Sequence, residues 1–313
     1  MTERSISQGH QTDRTDVDRY RLLLEAHLPG IEIRTCEPIT DGWSSYVLEV
    51  NGERIFRFPR RPEITHGVET EILLLPMLAE ALQVEVPKYD VIARDRPDGP
   101  VLFVGYDKIQ GQQLDQDSSP VQAQRRQLAR DIGELLSALH GIPTDGPAAA
   151  NLAPVTADDW RRQYQAMFVR AQRDVFPLLG AEARRAESAF WHEFLDDDDN
   201  FSFTPALVHA DLSPQNVICD CEQGRVVGVI DWEDAQIGDP AMDINGTLDE
   251  MGEAFANDVL EHYDGNTDHR LPKRARYYAR VVPYHHIWFG QETGAQVHVR
   301  QGLRRIGLHT VIG

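Results

Sequence analysis

Apolar and polar positions alternate along this chain in two rhythms, and the change between them divides it. Between Asp16 and Leu28, Tyr20, Leu23, Leu24 and His27 recur at helical spacing and Pro29-Gly30 stops the run, which predicts a short amphipathic helix. The period then shortens to two. Strand-like runs cover Ile31 to Ile39 and Tyr46 to Val50, and Asn51-Gly52 is a hairpin turn signal. The return strand, Arg54 to Phe58, sets Arg54, Phe56 and Phe58 on one face and Ile55 and Arg57 on the other. Ile64 to Leu82 reads as a helix. Val86 to Ala93 and Val101 to Asp107 read as strands around an Arg96-Pro97-Asp98-Gly99 turn.

After Gly111 the helical period dominates. Ser119-Pro120 supplies a cap and a proline at the first helical position, and that helix runs to about His140, where Gly141-Ile142-Pro143 ends it. Thr156-x-x-Asp159 has the form of a capping box and opens a second helix, and Ala181 to Leu195 is a third. Pro240 to Tyr263 and Lys273 to Thr293 read as long helices. Between these runs lies an irregular island, Pro205 to Asp239. The pattern predicts an α+β chain: a flexible tail over 1–16, a small antiparallel-sheet lobe with one main helix over 17–107, a linker over 108–118, and a larger, mostly helical lobe over 119–313.

Composition narrows the function. At 313 residues with 41% apolar and 26% charged side chains, the chain has enough apolar material for a packed core. Its formal net charge of −19, with no local basic patch, excludes a nucleic-acid or anionic-membrane role. No apolar run approaches the roughly 18 residues of a membrane span, and the N-terminus lacks the apolar core of a secretion signal. Cys36, Cys219 and Cys221 are too few for a disulfide framework and fit a cytoplasmic protein. Cys219 and Cys221 have no second pair at zinc spacing and read as strand residues.

The chemistry concentrates in the island. Ala206-Leu207-Val208 leads into His209-Ala210-Asp211-Leu212-Ser213-Pro214-Gln215-Asn216 and a second apolar run, Val217-Ile218. Cys221-Glu222-Gln223-Gly224 signals a turn, and Val226 to Ile230 leads into Asp231-Trp232-Glu233. A hairpin about Gln223 would bring Asn216 and Asp231 to the same open end, beside the loop that carries Asp211. Asn216 and Asp231 are oxygen donors suited to a hard divalent cation such as Mg²⁺, which needs few protein ligands when phosphates supply the rest. Asp211 can then accept a proton from a substrate hydroxyl. Such a division of labour suits phosphoryl transfer.

His209 to Asn216, then Ile230-Asp231-Trp232, then Gly238-Asp239-Pro240, resemble the aminoglycoside and macrolide phosphotransferases, antibiotic kinases with a bilobal, protein-kinase-like fold. The resemblance covers nearly all of residues 17–310. It implies that Asp211 is the catalytic base, that Asn216 and Asp231 bind magnesium, and that His209 and Asp239 brace the loop. It further implies that the first lobe binds nucleotide, with Arg57 reaching the phosphates and Glu71 pairing with it from the helix. Glu69 is the rival for that pairing. The loop Asp41 to Ser45 has one glycine where protein kinases carry three, yet Ser44 and Ser45 would offer donors over the phosphates. The stretch Val101 to Gly111 resembles the family's hinge. Asp107 and Ile109 would bond the purine through their backbone, and Tyr106 at the gatekeeper position goes with GTP rather than ATP.

For the acceptor, Asp243, Asp249, Glu250 and Glu253 follow Asp239 on one helix, the last three within about one turn. Such a cluster suits the ammonium groups of an aminoglycoside. Tyr284 and Trp288, four residues apart, could stack on sugar rings. The expectation is a monomeric, Mg²⁺-dependent enzyme that moves the γ-phosphate of GTP or ATP to an aminoglycoside hydroxyl. The alternatives are a macrolide 2′-phosphotransferase, a kinase of a small metabolite, or a nucleotide-binding regulator without catalysis.

Overall fold

The computed structural model describes residues 14–39, 44–114, 119–146, 152, 155–220, 222–265 and 268–312. Most of the expected N-terminal tail, Asp41 to Trp43 of the serine loop, residues 115–118 of the linker and Cys221 lie outside them. In chain order the elements are α1 (Arg14–His27), β1 (Cys36–Ile39), β2 (Ser45–Val50), β3 (Arg54–Pro59), α2 (Pro62–Ala81), β4 (Val91–Arg94), β5 (Val101–Asp107) and β6 (Gln112–Gln113). Then follow α3 (Ser119–His140), α4 (Ala157–Asp174), α5 (Ala181–Leu195), β7 (Ala206–Val208), β8 (Val217–Asp220), β9 (Arg225–Val229) and β10 (Gln236–Gly238). The chain closes with α6 (Ala241–Met251), α7 (Glu253–Leu260), α8 (Leu271–Thr293) and α9 (Gln296–Ile312).

Two compact units result. The first holds Met1–Gly111 and Val227–Glu233; the second holds Gln112–Val226 and Asp234–Gly313. A division by sequence position alone, with 119–313 as one lobe, leaves out this return of Val227–Glu233 to the first unit.

In the first unit an antiparallel sheet runs β1-β2-β3-β5-β4. The alternation along β3 sorts its two faces. Phe56 and Phe58 pack with Tyr46, Leu48, Val50, Phe103 and Leu24 of α1. On the other face Val104, which pairs with Arg57, clusters with Val101 and with Val68 of α2. Each fully buried aliphatic or aromatic side chain contributes roughly 1.5–3 kcal/mol. The turn between β2 and β3 places Asn51 and Gly52 at φ 58° and 73°, as a right-twisted hairpin favours.

Two expected strands are shorter than their apolar runs. Asn51 Oδ1 accepts the N–H groups of Arg34 and Thr35 at 2.8 and 3.1 Å, which diverts that backbone from the ladder and leaves only Cys36–Ile39 as strand. Glu85 instead bridges the returning segment, donating to Val227 O at 2.8 Å and accepting from Val229 N at 2.9 Å. Pro87 lacks a donor, so the antiparallel pairing starts only at Val91.

The second unit is mainly helical. β7 pairs with β10, and β8 lies between β6 and the start of β9. Thr156 and Asp159 form the expected capping box. Aromatic rings fill the space among α4, α5 and α8, including Phe194 stacked on Tyr277. The expected helix Pro240 to Tyr263 is two helices, broken at Gly252 with φ 83°. Among the described residues no helix is long and apolar enough to cross a membrane. Cys36 is a free thiol. Cys219 does lie in β8 but is held in a disulfide, which the sequence reading did not anticipate.

Candidate active site

In the first unit the functional side chains meet around Arg57. Strand register sends it to the face opposite Phe56 and Phe58, where it is buried. Its Nη1 donates to Glu71 Oε1 and Oε2 at 2.9 and 3.1 Å and to Tyr89 Oη at 3.2 Å. Its Nη2 donates to Asp231 Oδ1 at 2.6 Å and Glu233 Oε2 at 2.8 Å. Tyr89 donates to Glu71 Oε2 at 2.8 Å, and the backbone N–H of Trp232 donates to Glu71 Oε1 at 2.9 Å. Glu69, the rival, faces Arg94 at 2.5 Å. Glu71 is therefore the α2 carboxylate that holds both Arg57 and the returning segment.

One guanidinium faces three carboxylates here, and the electrostatics follow. Burial works against a charged Arg57, but Glu71, Asp231 and Glu233 outweigh it and hold its pKa well above the usual value. Burial pushes Glu71 above the ordinary carboxylate range, with Arg57 opposing. Glu233 is raised to about 7, chiefly by burial and by repulsion from Asp231, against the pull of Arg57 and of a hydrogen bond from Ser44. Asp231 sits in the left-handed region at φ 67°, a conformation a non-glycine residue keeps only when its surroundings impose it. Trp232 N on Glu71 and the two carboxylates on Arg57 supply that imposition.

Of the other residues expected to meet nucleotide, Ser44 reaches Glu233, whereas the Ser45 hydroxyl is buried with no hydrogen-bond partner among the described residues. Tyr106 is buried beside Tyr89, with ring centroids 5.7 Å apart. The Asp107 side chain is exposed and bonded to Arg54 at 2.8 Å, and Ile109 is buried.

In the second unit β7 delivers the loop that carries Asp211. His209 is fully buried, and its Nδ1 lies 3.3 Å from Asp211 N. Ala210 has φ 67°. The Asp243 carboxylate secures this turn, accepting from His209 N at 2.9 Å and Ala210 N at 2.8 Å. His140 backs Asp243 at 3.0 Å and is itself backed by Tyr263 Oη at 2.7 Å. Gly246 on α6 presses against the loop: a Cβ there would collide with Leu212 O. Asn216 Nδ2 donates to Asp211 O at 2.8 Å and Asp211 Oδ2 at 3.2 Å. That orientation commits the amide nitrogen to the loop and leaves Oδ1 as the remaining acceptor of the side chain. Each unit by itself offers a hard oxygen donor of the kind Mg²⁺ takes, the Asp231 carboxylate in the first and the Asn216 carbonyl in the second.

Several expectations need correcting. Asp243 is not part of an acceptor cluster; it is the buried anchor of the loop. Asp239 braces α6 against α8, bonding Arg274 at 2.5 and 3.0 Å and Tyr278 Oη at 2.7 Å, rather than the loop itself. Glu253 opens α7 beyond the break and pairs with Arg276 at 2.6 Å. Tyr284 is fully buried, donating to Glu187 Oε2 at 2.7 Å and packed edge-on against Trp191. Trp288 is buried beneath the Arg170 guanidinium, 4.5 Å from its ring centroid. Neither aromatic presents a face to a ligand. The period of four that suggested a stacking surface reports the core of α8.

Asp249 and Glu250 remain. Asp249 is paired with Arg305 of α9. Glu250 has its pKa raised to about 7 by burial and by the neighbouring charges of Asp249 and Asp211, against Arg305. Glu250 therefore lies within the electrostatic reach of Asp211. Sequence reasoning did not single out Tyr89, Glu233 or His140. Glu233 alone carried a signal, two residues beyond Asp231 on the same returning segment.

Comparison with known proteins decides the family. Residues 35–278 match the model of the phosphotransferase enzyme family. The chain belongs to that family. It is a phosphotransferase and shares the protein-kinase-like fold of the antibiotic kinases. It is similar to the GDP and kanamycin complex of APH(2")-IIia, with 25% identity, a TM-score of 0.85, and coverage of 94% of this chain and 99% of that one. It is similar to the GDP complex of an aminoglycoside 2'-phosphotransferase-IIIa at 26% identity and TM-score 0.83, covering 95% and 99%. A macrolide 2'-phosphotransferase type I, at 22% identity and TM-score 0.74 over 94% and 97%, shares the fold. Among curated proteins, the viomycin phosphotransferase of Streptomyces vinaceus is 29% identical over 201 residues, 63% of this chain and 66% of that protein. An uncharacterized protein of Bacillus subtilis, YcbJ, is 24% identical over 262 residues, 81% of this chain and 82% of its own.

Proposed function

We propose that this phosphotransferase is an Mg²⁺-dependent kinase that moves the γ-phosphate of GTP to a hydroxyl of a polycationic antibiotic, an aminoglycoside foremost. The observation that carries the substrate class is the likeness, at 25% identity, to a structure that holds kanamycin, and Glu250, a carboxyl close enough to feel the charge of Asp211, agrees with it. An acceptor that brings ammonium groups to that neighbourhood relieves the repulsion between the two carboxylates, so recognition and positioning of the hydroxyl coincide.

Asp211 orients the acceptor hydroxyl and takes its proton as the bond to phosphorus forms. His209 and Asp243 keep it at the right turn of the loop. Arg57, held by Glu71, faces the donor phosphates, and Ser44 offers them a hydroxyl, whereas that of Ser45 is buried. Asn216 and Asp231 are the residues that would hold magnesium, which would supply neutralisation of phosphate charge. The backbone of Asp107 and Ile109 meets the purine. Two observations support GTP: the bulk of the buried Tyr106 and the GDP in similar structures. ATP is the alternative donor. The likeness to viomycin phosphotransferase favours including viomycin among the acceptors.

The test is mass spectrometry of an antibiotic panel (kanamycin, gentamicin, streptomycin, viomycin and a macrolide) after incubation with the enzyme, MgCl2 and either GTP or ATP. Phosphorylated aminoglycoside formed preferentially with GTP is expected. Product from the macrolide alone would overturn the substrate class.

A further inference from the structure

The returning segment offers Arg57 two carboxylates where one would pair it. Nη2 is divided between Asp231 at 2.6 Å and Glu233 at 2.8 Å. The two acceptors differ in access. The Asp231 side chain is 34% exposed, while that of Glu233 is 8% exposed. A cation arriving from solvent therefore meets Asp231, and Glu233 stays behind it. Glu233 is also fixed through its main chain. Gly67 on α2 lies so close that a Cβ there would fall 2.9 Å from both Glu233 Cβ and Glu233 O. One residue earlier, Trp232 N is tied to Glu71.

We propose that Glu233 is a positioning residue for Arg57: it is the partner that keeps the guanidinium in place when Asp231 turns to the metal–nucleotide. This rests on the reading of Asp231 as metal-facing given above. When a divalent cation takes the charge of Asp231, Arg57 retains Glu71 on Nη1 and Glu233 on Nη2. Without Glu233, Arg57 Nη2 and the metal compete for Asp231 alone. Coupling of this kind is reciprocal, so loss of Glu233 weakens metal binding as well as the fixing of arginine. Gly67 belongs to the same device, because a side chain there forces the Glu233 backbone away without altering any charge.

The experiment is fluorescence titration of the intact enzyme with mant-GMPPNP at increasing MgCl2, with steady-state kinetics beside it. For Glu233→Gln, the MgCl2 concentration giving half-maximal binding is expected to rise about tenfold, and the nucleotide KM to rise more than kcat falls. Gly67→Ala is expected to shift both in the same direction and gives a second reading should Glu233→Gln fold poorly. A role in stability alone would lower the melting temperature of both variants and leave the MgCl2 midpoint in place, and that result overturns the proposal. Wild-type binding that ignores MgCl2 overturns the metal-facing reading of Asp231 and the proposal with it. A wild-type midpoint that neither variant moves overturns only the role of Glu233.

Discussion

The Asp243 carboxylate accepts the backbone N–H of Ala210 at 2.8 Å, and Ala210 stands at φ 67° immediately before Asp211. A second oxygen of the same carboxylate takes His209 N, so one buried side chain sets the loop's turn. Leaving buried donors unmet costs about 1–3 kcal/mol each. Asp243→Ala is expected to lower the unfolding free energy, read from urea denaturation, by roughly 1–3 kcal/mol for each stranded donor and to reduce kcat well beyond any change in nucleotide KM. Equal kcat in a folded variant would show that the strained turn does not position Asp211.

Glu71 anchors two groups at once, Arg57 and the N–H of Trp232. Removing one partner of a buried ion pair strands the other, at a cost of about 3–5 kcal/mol. Glu71→Ala is expected to lose stability on that scale by chemical denaturation. Glu69→Ala, whose partner Arg94 is partly exposed, is expected to lose about 1 kcal/mol or less.

Glu250 supplies the pH dependence. Its folded pKa is about 7 against 4.5 for the free carboxyl, because of burial and then Asp249 and Asp211. Between those values the folded protein keeps a proton that the unfolded chain has released. Stability therefore falls as pH rises across that window. Glu250→Gln is expected to flatten this part of a melting-temperature profile. It is also expected to abolish the fall in KM for a polycationic acceptor as Glu250 ionises, measured from pH 6 to 8 with wild type alongside.

Tyr284 separates core from site. Its hydroxyl bonds Glu187 and its ring is enclosed, so Tyr284→Phe is expected to cost about 1–3 kcal/mol in stability and to leave acceptor KM unchanged. A raised acceptor KM with unchanged stability would instead place the Tyr284 hydroxyl at the acceptor.

How far the sequence speaks depends on the range of the interaction. The Asn51-Gly52 turn, the Thr156 capping box and the alternation of Phe56, Arg57 and Phe58 are local, and each is visible in the letters. The order of His209, Asp211, Asn216 and Asp231 is legible for the same reason. What escaped is set by distant partners. The helix break at Gly252 overrides an apolar period that continues through it. The strands ending near Cys36 and Val91 are trimmed by Asn51 and by Glu85, whose bonds depend on the return of Val227–Glu233. Asp243 looked like one more acid on an acidic helix until the fold put it beneath the loop. Tyr284 and Trp288 have the spacing of a ligand face and of a core alike, and only packing tells the two apart.

Central to this account is the assignment of Asp211 as the group that receives the acceptor proton. The direct measurement is transfer of labelled phosphate from GTP to kanamycin by wild type and Asp211→Asn, with mant-GMPPNP affinity measured on the same preparations. Transfer lost in Asp211→Asn with nucleotide affinity preserved is the predicted result. Transfer at the wild-type rate would contradict it.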